Sequence, residues 1–394
     1  GETSWDTTVK TTGTFTATAG VGYFLNTTGG IITVNLPVGA AGSSVALADY
    51  AGTWQTNNVT VAANGTEKIG GVDADVTLST EGQAVTFVYI DGTQGWVNVL
   101  DSTSNVRANA FIVATGGTPC SGTICGDYKI HTFTGPGTFT VSNAGAPAGS
   151  DTVDYLVVAG GASGGQYYGG GGGAGGFRES VPSPAVWTGS PLANPGGAIP
   201  VSVTGYPITV GGGGPEGGCT APGNDGTPSI FSSITSAGGG AGAGTAGPAA
   251  SGNSGGSGGG SSRGAVVASG NTPPVSPPQG QPGGITPGDA AGGGGATVAG
   301  GDNIPNGAVT PGGAGAGTAI NPSPSYGTPG PSAPLRYFAG GGASAVGGSV
   351  GGVGGGGSQG GPAAGTINTG GGGSGNTAGR TGGSGIVIIR YKFQ

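Results

Sequence analysis

The sequence predicts an all-β protein in which a β-rich N-terminal module is followed by a sandwich of polyglycine II helices, with essentially no α-helix. Three observations support this prediction. Of the 100 glycines, 77 lie between Gly160 and Gln394, many of them in consecutive runs. Each glycine weakens an α-helix by about 1 kcal/mol relative to alanine, so such runs are incompatible with helix. Short β-branched segments at residues 153–159 and 385–393 bracket the glycine-rich part.

Residues 1–107 have the pattern of a small β-sandwich or barrel-like module. Turn signals such as Gly70-Gly71 and Asp91-Gly92 separate short segments in which apolar and polar residues alternate. The predicted strands are residues 8–18, 23–26, 31–36, 44–49, 58–62, 76–79, 85–90 and 96–100. The predicted core consists of Phe15, Phe24, Ile32, Val34, Leu36, Val45, Leu47, Val59, Val61, Leu78, Phe87, Tyr89 and Trp96.

Residues 108–159 are predicted to form a β connector and hairpin section. Residues 111–114 form one strand, and residues 128–133 and 138–141 form a hairpin across Gly135 and Gly137. A buried strand at 153–159 follows. We expect this strand to meet the C-terminal strand 385–393, which would close the glycine-rich domain, residues 160–394, into one unit. The entropy cost of closing so long a loop grows only with the logarithm of its length.

The glycine runs leave three alternatives: disorder, collagen or polyglycine II. Collagen needs glycine at every third position, and the run 169–173 breaks that period. A polyglycine II helix has three residues per turn and rises about 3.1 Å per residue, and its backbone groups bond to neighbouring chains. A run of seven or eight residues would span roughly 20–25 Å. The bracketing apolar strands favour this lattice over disorder.

The composition excludes several classes of function. The chain has 17 acidic and 10 basic residues, a net charge of −7, and no basic patch, so we expect no nucleic-acid binding. No apolar stretch approaches about 18 residues, so we expect no membrane insertion. There is no Met, so we expect Gly1 not to be a translation start and the chain to be processed or part of something longer.

Few residues carry reactive chemistry. Cys120 and Cys125 enclose a loop short enough for a local disulfide, which would leave Cys219 over. These cysteines and His131 could make a Cys₃His set, but the spacing is not that of a zinc site, so we expect no metal and no cofactor. His131 itself is expected to be a half-buried packing residue or a contact at a trimer axis.

Ser163 lies in a GASGG stretch at residues 161–165 that matches the nucleophile elbow of serine hydrolases. The same pattern recurs at 252–256 and 255–259, and the single histidine precedes the serine, which is the wrong order for that fold. We therefore expect the protein not to be an enzyme.

Several motifs resemble the glycine-rich receptor-binding domains of tailed-bacteriophage tail fibres. The resemblance covers about residues 128–394 and rests on the stretches at 128–134 (YKIHTFT), 137–141 (GTFTV), 154–161 (DYLVVAGG), 229–240 (SIFSSITSAGGG) and 382–391 (GGSGIVIIRY). The N-terminal part resembles a β-module of marine and aquatic phage fibres through 3–6 (TSWD), 22–28 (GYFLNTT), 32–37 (ITVNLP), 49–53 (DYAGT) and 95–97 (GWV). The resemblance implies a homotrimeric virion protein, located outside the cell, that binds a bacterial receptor.

Aromatic residues beside the glycine runs are the candidate receptor-binding residues, because rigid aromatics give contact area at little entropy cost and also stack on sugars. They are Tyr167, Tyr168, Trp187, Tyr326, Tyr337 and Phe338, together with the neighbouring Arg336. Alternatively, these aromatics cap the lattice ends and shield its faces; we expect exposed loop contacts for the group from Tyr326 to Phe338.

The leading hypothesis is a tail-fibre adhesin that binds a surface polysaccharide or an outer-membrane protein through loops of a rigid glycine-rich tip. Its partners would be that receptor and other tail-fibre or baseplate proteins. The alternative is a structural subunit of an extracellular or virion filament that packs through its glycine-rich faces.

Overall fold

A computed structural model describes residues 3–102, 111–147, 149–245, 250–263, 266–303, 309–323, 325–361, 363–375 and 380–394. The chain separates into two compact units, Gly1–Ala108 and Asn109–Gln394. Across the described ranges there is no α-helix and one 3₁₀ helix, Thr27–Gly29. The prediction of an all-β protein is therefore confirmed.

The first six strands of the first unit alternate between two sheets. The strands of this unit are β1 (Ser4–Lys10), β2 (Gly13–Thr16), β3 (Val21–Leu25), β4 (Ile32–Asn35), β5 (Ser44–Asp49), β6 (Val59–Ala62), β7 (Val76–Leu78), β8 (Ala84–Asp91) and β9 (Gly95–Ser102). One sheet has the order β1-β3-β5-β8-β9 and the other β2-β4-β6-β7. The first three strands of each sheet pair in parallel. The chain therefore winds between the sheets as a flattened coil before antiparallel strands complete both.

The core between these sheets contains most of the predicted residues. Two of the others only pack against its edge: Phe15 and Tyr89. The prediction was wrong for Phe24. Successive strand residues point to opposite faces, and Leu25 is buried in the core, so Phe24 faces outward and stacks on Trp5 at 4.8 Å between ring centroids. The prediction missed Trp54, which is fully buried although it lies in a turn.

Asp49 organises the turn that carries Trp54. Its Oδ1 accepts hydrogen bonds from the backbone N–H groups of Gly52 and Thr53 at 2.9 and 3.2 Å. Its Oδ2 accepts from Trp54 at 3.3 Å and from Gly82 at 2.9 Å. One carboxylate thus satisfies four backbone donors from two loops, which fixes the indole against the core.

The second unit contains two larger sheets and a short ribbon. Its strands are β10 (Ile112–Thr115), β11 (Thr123–Cys125), β12 (Tyr128–Phe133), β13 (Gly137–Ala144), β14 (Thr152–Val158), β15 (Phe177–Val181), β16 (Ala193–Pro195), β17 (Ile199–Pro200), β18 (Gly205–Thr209), β19 (Ser229–Phe231), β20 (Ile234–Ser236), β21 (Ala316–Thr318), β22 (Arg336–Phe338) and β23 (Ile386–Lys392). The sheet orders are β10-β13-β18-β19-β20 and β11-β12-β23-β14-β15-β16, with β17 beside β14; β21 and β22 form the ribbon. One apolar cluster lies between the large sheets, and a second covers the other face of the β23 sheet.

The C-terminal strand closes the second unit. β23 pairs antiparallel with β14 from Asp154↔Arg390 to Val158↔Ile386, so the expected meeting of residues 153–159 with 385–393 is confirmed. The predicted hairpin was wrong. β12 pairs with β23 and β11, whereas β13 pairs with β10 and β18 in the opposite sheet. β12 carries buried residues on both faces and needs an apolar partner such as β23, which lies far away in sequence.

The glycine runs form a hydrogen-bonded lattice, and the buried segment 169–176 shows its repeat. Its N–H groups donate hydrogen bonds of 2.8–3.0 Å to three neighbouring segments in turn, and every third residue donates to the same segment. Gly170, Gly173 and Gly176 donate to carbonyls of segment 237–243, Gly171 and Ala174 to segment 291–294, and Gly172 and Gly175 to segment 370–373. Its carbonyls accept from segments 159–165, 257–260 and 342–345. A repeat of three residues and bonds only to neighbouring chains define a polyglycine II helix, here surrounded by six others.

Close backbone approach explains why this lattice needs glycine. A Cβ added to Gly172 would lie under 3.0 Å from backbone atoms of Ala162 and Ser163, a distance that real Cβ atoms do not show. Ala174 is the exception within this helix, since its methyl group packs into the cluster under the β23 sheet. Backbone hydrogen bonds, with few side chains, therefore hold this part together.

Candidate functional site

The lattice has two different ends. Helices such as 159–165, 169–176, 237–244 and 380–385 continue directly from or into strands, so the sheets lie at one end. The opposite end, called here the turn end, is formed by residues 166–168, 217–222, 262–263, 286–289 and 345–350. Backbone contacts join these turns: Gln166 N to Ala221 O at 3.5 Å and Arg263 N to Gly288 O at 3.1 Å. Loops on a rigid scaffold are the usual place for recognition residues.

Two tyrosines occupy the centre of the turn end. Tyr167 and Tyr168 cap the helix 169–176 and are 51% and 59% exposed. Both have positive φ, 43° and 44°, a conformation that costs a bulky residue roughly 1–2 kcal/mol. Glycine, abundant on both sides, would avoid that cost. Strain of this kind clusters at functional sites, so the tyrosine pair is the strongest candidate for a binding site.

Neighbouring turns surround the tyrosine pair. Ala345 N donates to Gly169 O at 3.2 Å, which places the 345–350 turn beside it. That turn adds the exposed side chain of Val350, and Val309, exposed as well, lies next to Gly348. The turn end therefore presents exposed aromatic and aliphatic side chains on a rigid base.

The other predicted residues lie away from the turn end, beside the sheets. Tyr337 and Phe338 belong to β22 and are only 9% and 1% exposed, so the expectation of exposed loop contacts was wrong for them. Phe338 packs into the apolar cluster below the β23 sheet, with Tyr326 partly buried against it. Arg336 donates from Nε to Tyr326 O at 2.8 Å and from Nη2 to Gly327 O at 2.5 Å. These four residues fasten the 326–338 segment to the lattice.

Trp187 also has a packing role. It lies on one side of the guanidinium of Arg390, 4.1 Å from the ring centroid, and Tyr128 lies 4.7 Å away on another side. Arg390 Nη1 donates to Ile320 O at 2.9 Å. The C-terminal strand is thereby joined to the 319–320 segment. A single arginine inside the apolar stretch IVIIRYK was a signal that sequence reasoning could have used.

Glu179 is a buried carboxylic acid that the sequence did not reveal. It is 2% exposed, accepts a hydrogen bond from Ser190 N at 2.8 Å and contacts the Thr318 hydroxyl. Burial raises the pKa of Glu179 to about 7, against the smaller opposing effect of those hydrogen bonds. It connects β15 to β21 and so joins the sheet to the lattice.

His131 is fully buried, so both expectations for it, half-burial and a trimer-axis contact, were wrong. Its Nδ1 donates to Gly116 O at 2.7 Å, which leaves Nε2 to accept from the Tyr391 hydroxyl at 3.2 Å. Burial lowers its pKa. The ring is neutral and serves to hold the 116–117 turn against β23.

The remaining reactive candidates are free thiols or have structural roles. Cys120 and Cys125 are free thiols, as is Cys219, so the predicted local disulfide is wrong; Cys125 pairs with Tyr128 across the β11–β12 ladder instead. Ser163 is fully buried in the lattice, where its Oγ donates to Pro215 O at 2.7 Å. That serine is inaccessible to a substrate.

The described part of the chain contains neither a cluster of metal-binding side chains nor a membrane-spanning helix. Within it, no three His, Cys, Asp or Glu side chains lie close enough to form a metal site. None of its helices is long and apolar enough to cross a membrane.

A comparison with protein families identifies the family of this chain. The chain matches the glycine-rich domain family over residues 132–392, which is more than half of its length, and it belongs to that family. The matched region begins in β12 and ends in β23, so it includes the closing strands as well as the lattice. A comparison with curated proteins gives no match.

Proposed function

We propose that the protein is a tail-fibre adhesin of a tailed bacteriophage that binds a bacterial surface receptor through its turn end. The observation that carries this proposal is the exposed, strained pair Tyr167 and Tyr168 at the centre of that end. A binding pair that is held rigid before contact loses little entropy on binding. Tyrosine is among the residues that most often dominate binding energy.

The lattice supports this function by its stiffness. Segment 169–176, which presents the tyrosines, is bonded to six neighbouring segments, and its residues are buried. A homotrimer displayed with other tail-fibre or baseplate proteins on the virion would place several such ends near one cell. Several weak contacts then act together and raise the overall affinity.

Whole-cell binding tests the proposal. Fluorescently labelled protein is incubated with a panel of bacterial strains, and with their purified surface polysaccharide and outer-membrane proteins as competitors. We expect saturable binding to at least one strain. The double variant Tyr167→Ala/Tyr168→Ala should reduce it at least about tenfold, whereas Tyr50→Ala, a similarly exposed tyrosine of the first unit, should not.

The alternative of a filament subunit gives different results. Electron microscopy of the purified protein would then show open polymers, and the tyrosine variants would bind cells as the unmodified protein does. Undiminished cell binding by the double alanine variant would by itself refute recognition through the turn end.

A further inference from the structure

The second unit has a polar cleft on its side, away from the turn end. It lies where β12, β14 and β23 meet and has a volume of about 390 Å³. Residues lining it include Tyr128, Ser150, Asp151, Asp154, Ser183 and Lys392. We call it the lateral cleft. Its volume falls within the range of about 300–1,000 Å³ that is typical of small-molecule sites.

The lateral cleft contains a carboxylate with an acceptor to spare. Asp154 is 7% exposed, and its Oδ1 accepts a hydrogen bond from Ser180, itself fully buried, at 2.6 Å. Among the described residues nothing donates to Oδ2, and no basic side chain is within ion-pair distance of it. Oδ2 is not one of the fully buried polar atoms that lack a hydrogen-bond partner, so it is accessible from the cleft and can accept a hydrogen bond from a ligand.

The charge around Asp154 indicates which ligand class fits. Arg390 is paired with Asp154 across the two strands, and its positive charge partly offsets the negative charge of the carboxylate. The Nη1 of Arg390 donates its own hydrogen bond elsewhere, to Ile320 O. The positive charge of Arg390 reduces the attraction for a cation. The lining residues include two carboxylates, Asp151 and Asp154, and one basic side chain, Lys392. This excess of negative charge disfavours binding of an anion. A neutral ligand with several hydroxyl groups satisfies both conditions.

The rest of the lining has matching chemistry. The hydroxyl groups of Ser183, Thr152 and Tyr128 can each donate and accept, which suits a ring with many hydroxyls. The Tyr128 ring adds an apolar surface for the C–H groups of such a ring.

We propose that the lateral cleft binds a neutral pyranose unit of a saccharide, with one sugar hydroxyl donating to Oδ2 of Asp154. The site is independent of the tyrosine pair and of the proposed adhesin function.

Saturation-transfer NMR and calorimetry on the full chain test this site. The probes are the methyl glycosides of glucose, galactose, mannose and N-acetylglucosamine. We expect at least one to bind saturably, with a Kd of about 1 mM or tighter. Asp154→Asn, which keeps the shape, should weaken binding about tenfold. Ala198→Trp, which fills the cleft from its wall and spares the carboxylate, should abolish it.

Matched controls locate the binding. Tyr167→Ala/Tyr168→Ala should bind the same sugar with unchanged affinity, even if it no longer binds cells. The proposal is overturned if none of the four probes binds saturably. It is also overturned if binding survives both cleft variants, or if it is lost in the tyrosine variant and kept in Asp154→Asn.

Discussion

The strained tyrosine pair allows backbone strain to be separated from ring contacts. Two double variants are compared: Tyr167 and Tyr168 both replaced by Ala, and both replaced by Gly. Each variant removes the two rings, so each loses the same side-chain contacts. They differ in the cost of keeping φ near 43° and 44° and in the freedom of the unfolded chain. Alanine carries that cost and glycine does not.

The magnitude follows from these two angles. A left-handed conformation costs a non-glycine residue roughly 1–2 kcal/mol. The greater freedom of glycine in the unfolded chain offsets about 0.4–1 kcal/mol of this. The double glycine variant should therefore be more stable than the double alanine variant by about 1–2 kcal/mol in total, or about 2–6 °C in Tm for a domain of this size. In an ordinary strand or helix, glycine would be the less stable of the two.

Differential scanning calorimetry and cell binding read out the two effects. Both variants should lose cell binding to a similar extent, because both lack the rings. A glycine variant that melts at or below the alanine variant would refute the assignment of strain. Retained binding by either variant would refute the functional reading of the pair.

Three further outcomes follow from the packing. Gly172→Ala should destabilise the lattice by at least about 3 kcal/mol, measured by thermal melting, because its Cβ meets backbone; Gly218→Ala, with nothing within 4 Å of the added Cβ, should have little effect. Glu179 has a folded-state pKa of about 7, raised from 4.5, so the folded state binds more protons between these values. The stabilising contribution of Glu179 should therefore be fully present below pH 4.5 and fall by roughly 3 kcal/mol as the pH rises through 7; denaturant unfolding of the protein and of its Glu179→Gln variant at several pH values checks this, and a slope unchanged by Glu179→Gln would contradict it. Asp49→Ala should cost about 2–3 kcal/mol because four backbone donors lose their acceptor; an unchanged denaturation midpoint of the first unit, followed by tryptophan fluorescence, would refute this role.

Much of the fold could be predicted because it rests on local patterns. Alternation of apolar residues located the strands of the first unit, and glycine runs together with their bracketing strands predicted the lattice and its closure. The predicted hairpin was wrong because the preferred partner of β12 is β23, which no local pattern could reveal. Trp54 was missed because its burial depends on hydrogen bonds that the backbone of its turn donates to Asp49, and not on a strand pattern.

The candidate site was harder to predict. An aromatic residue beside a glycine run can either project from a turn, as Tyr168 does, or cover the lattice, as Phe338 does. The difference depends on which end of the lattice the residue occupies, and this is set by the direction of each helix. The short turn between two long glycine runs, residues 166–168, was the available signal for the exposed pair.

A lattice of identical backbone units has a degeneracy that ordinary cores lack. Sliding one helix along its axis by three residues would restore every backbone hydrogen bond, since the repeat is three. Only the rare non-glycine residues oppose such slippage: Ala174 must reach its apolar cluster, and the Ser163 hydroxyl must reach Pro215 O. These few side chains therefore select one alignment of the helices among several that have nearly the same backbone hydrogen bonds.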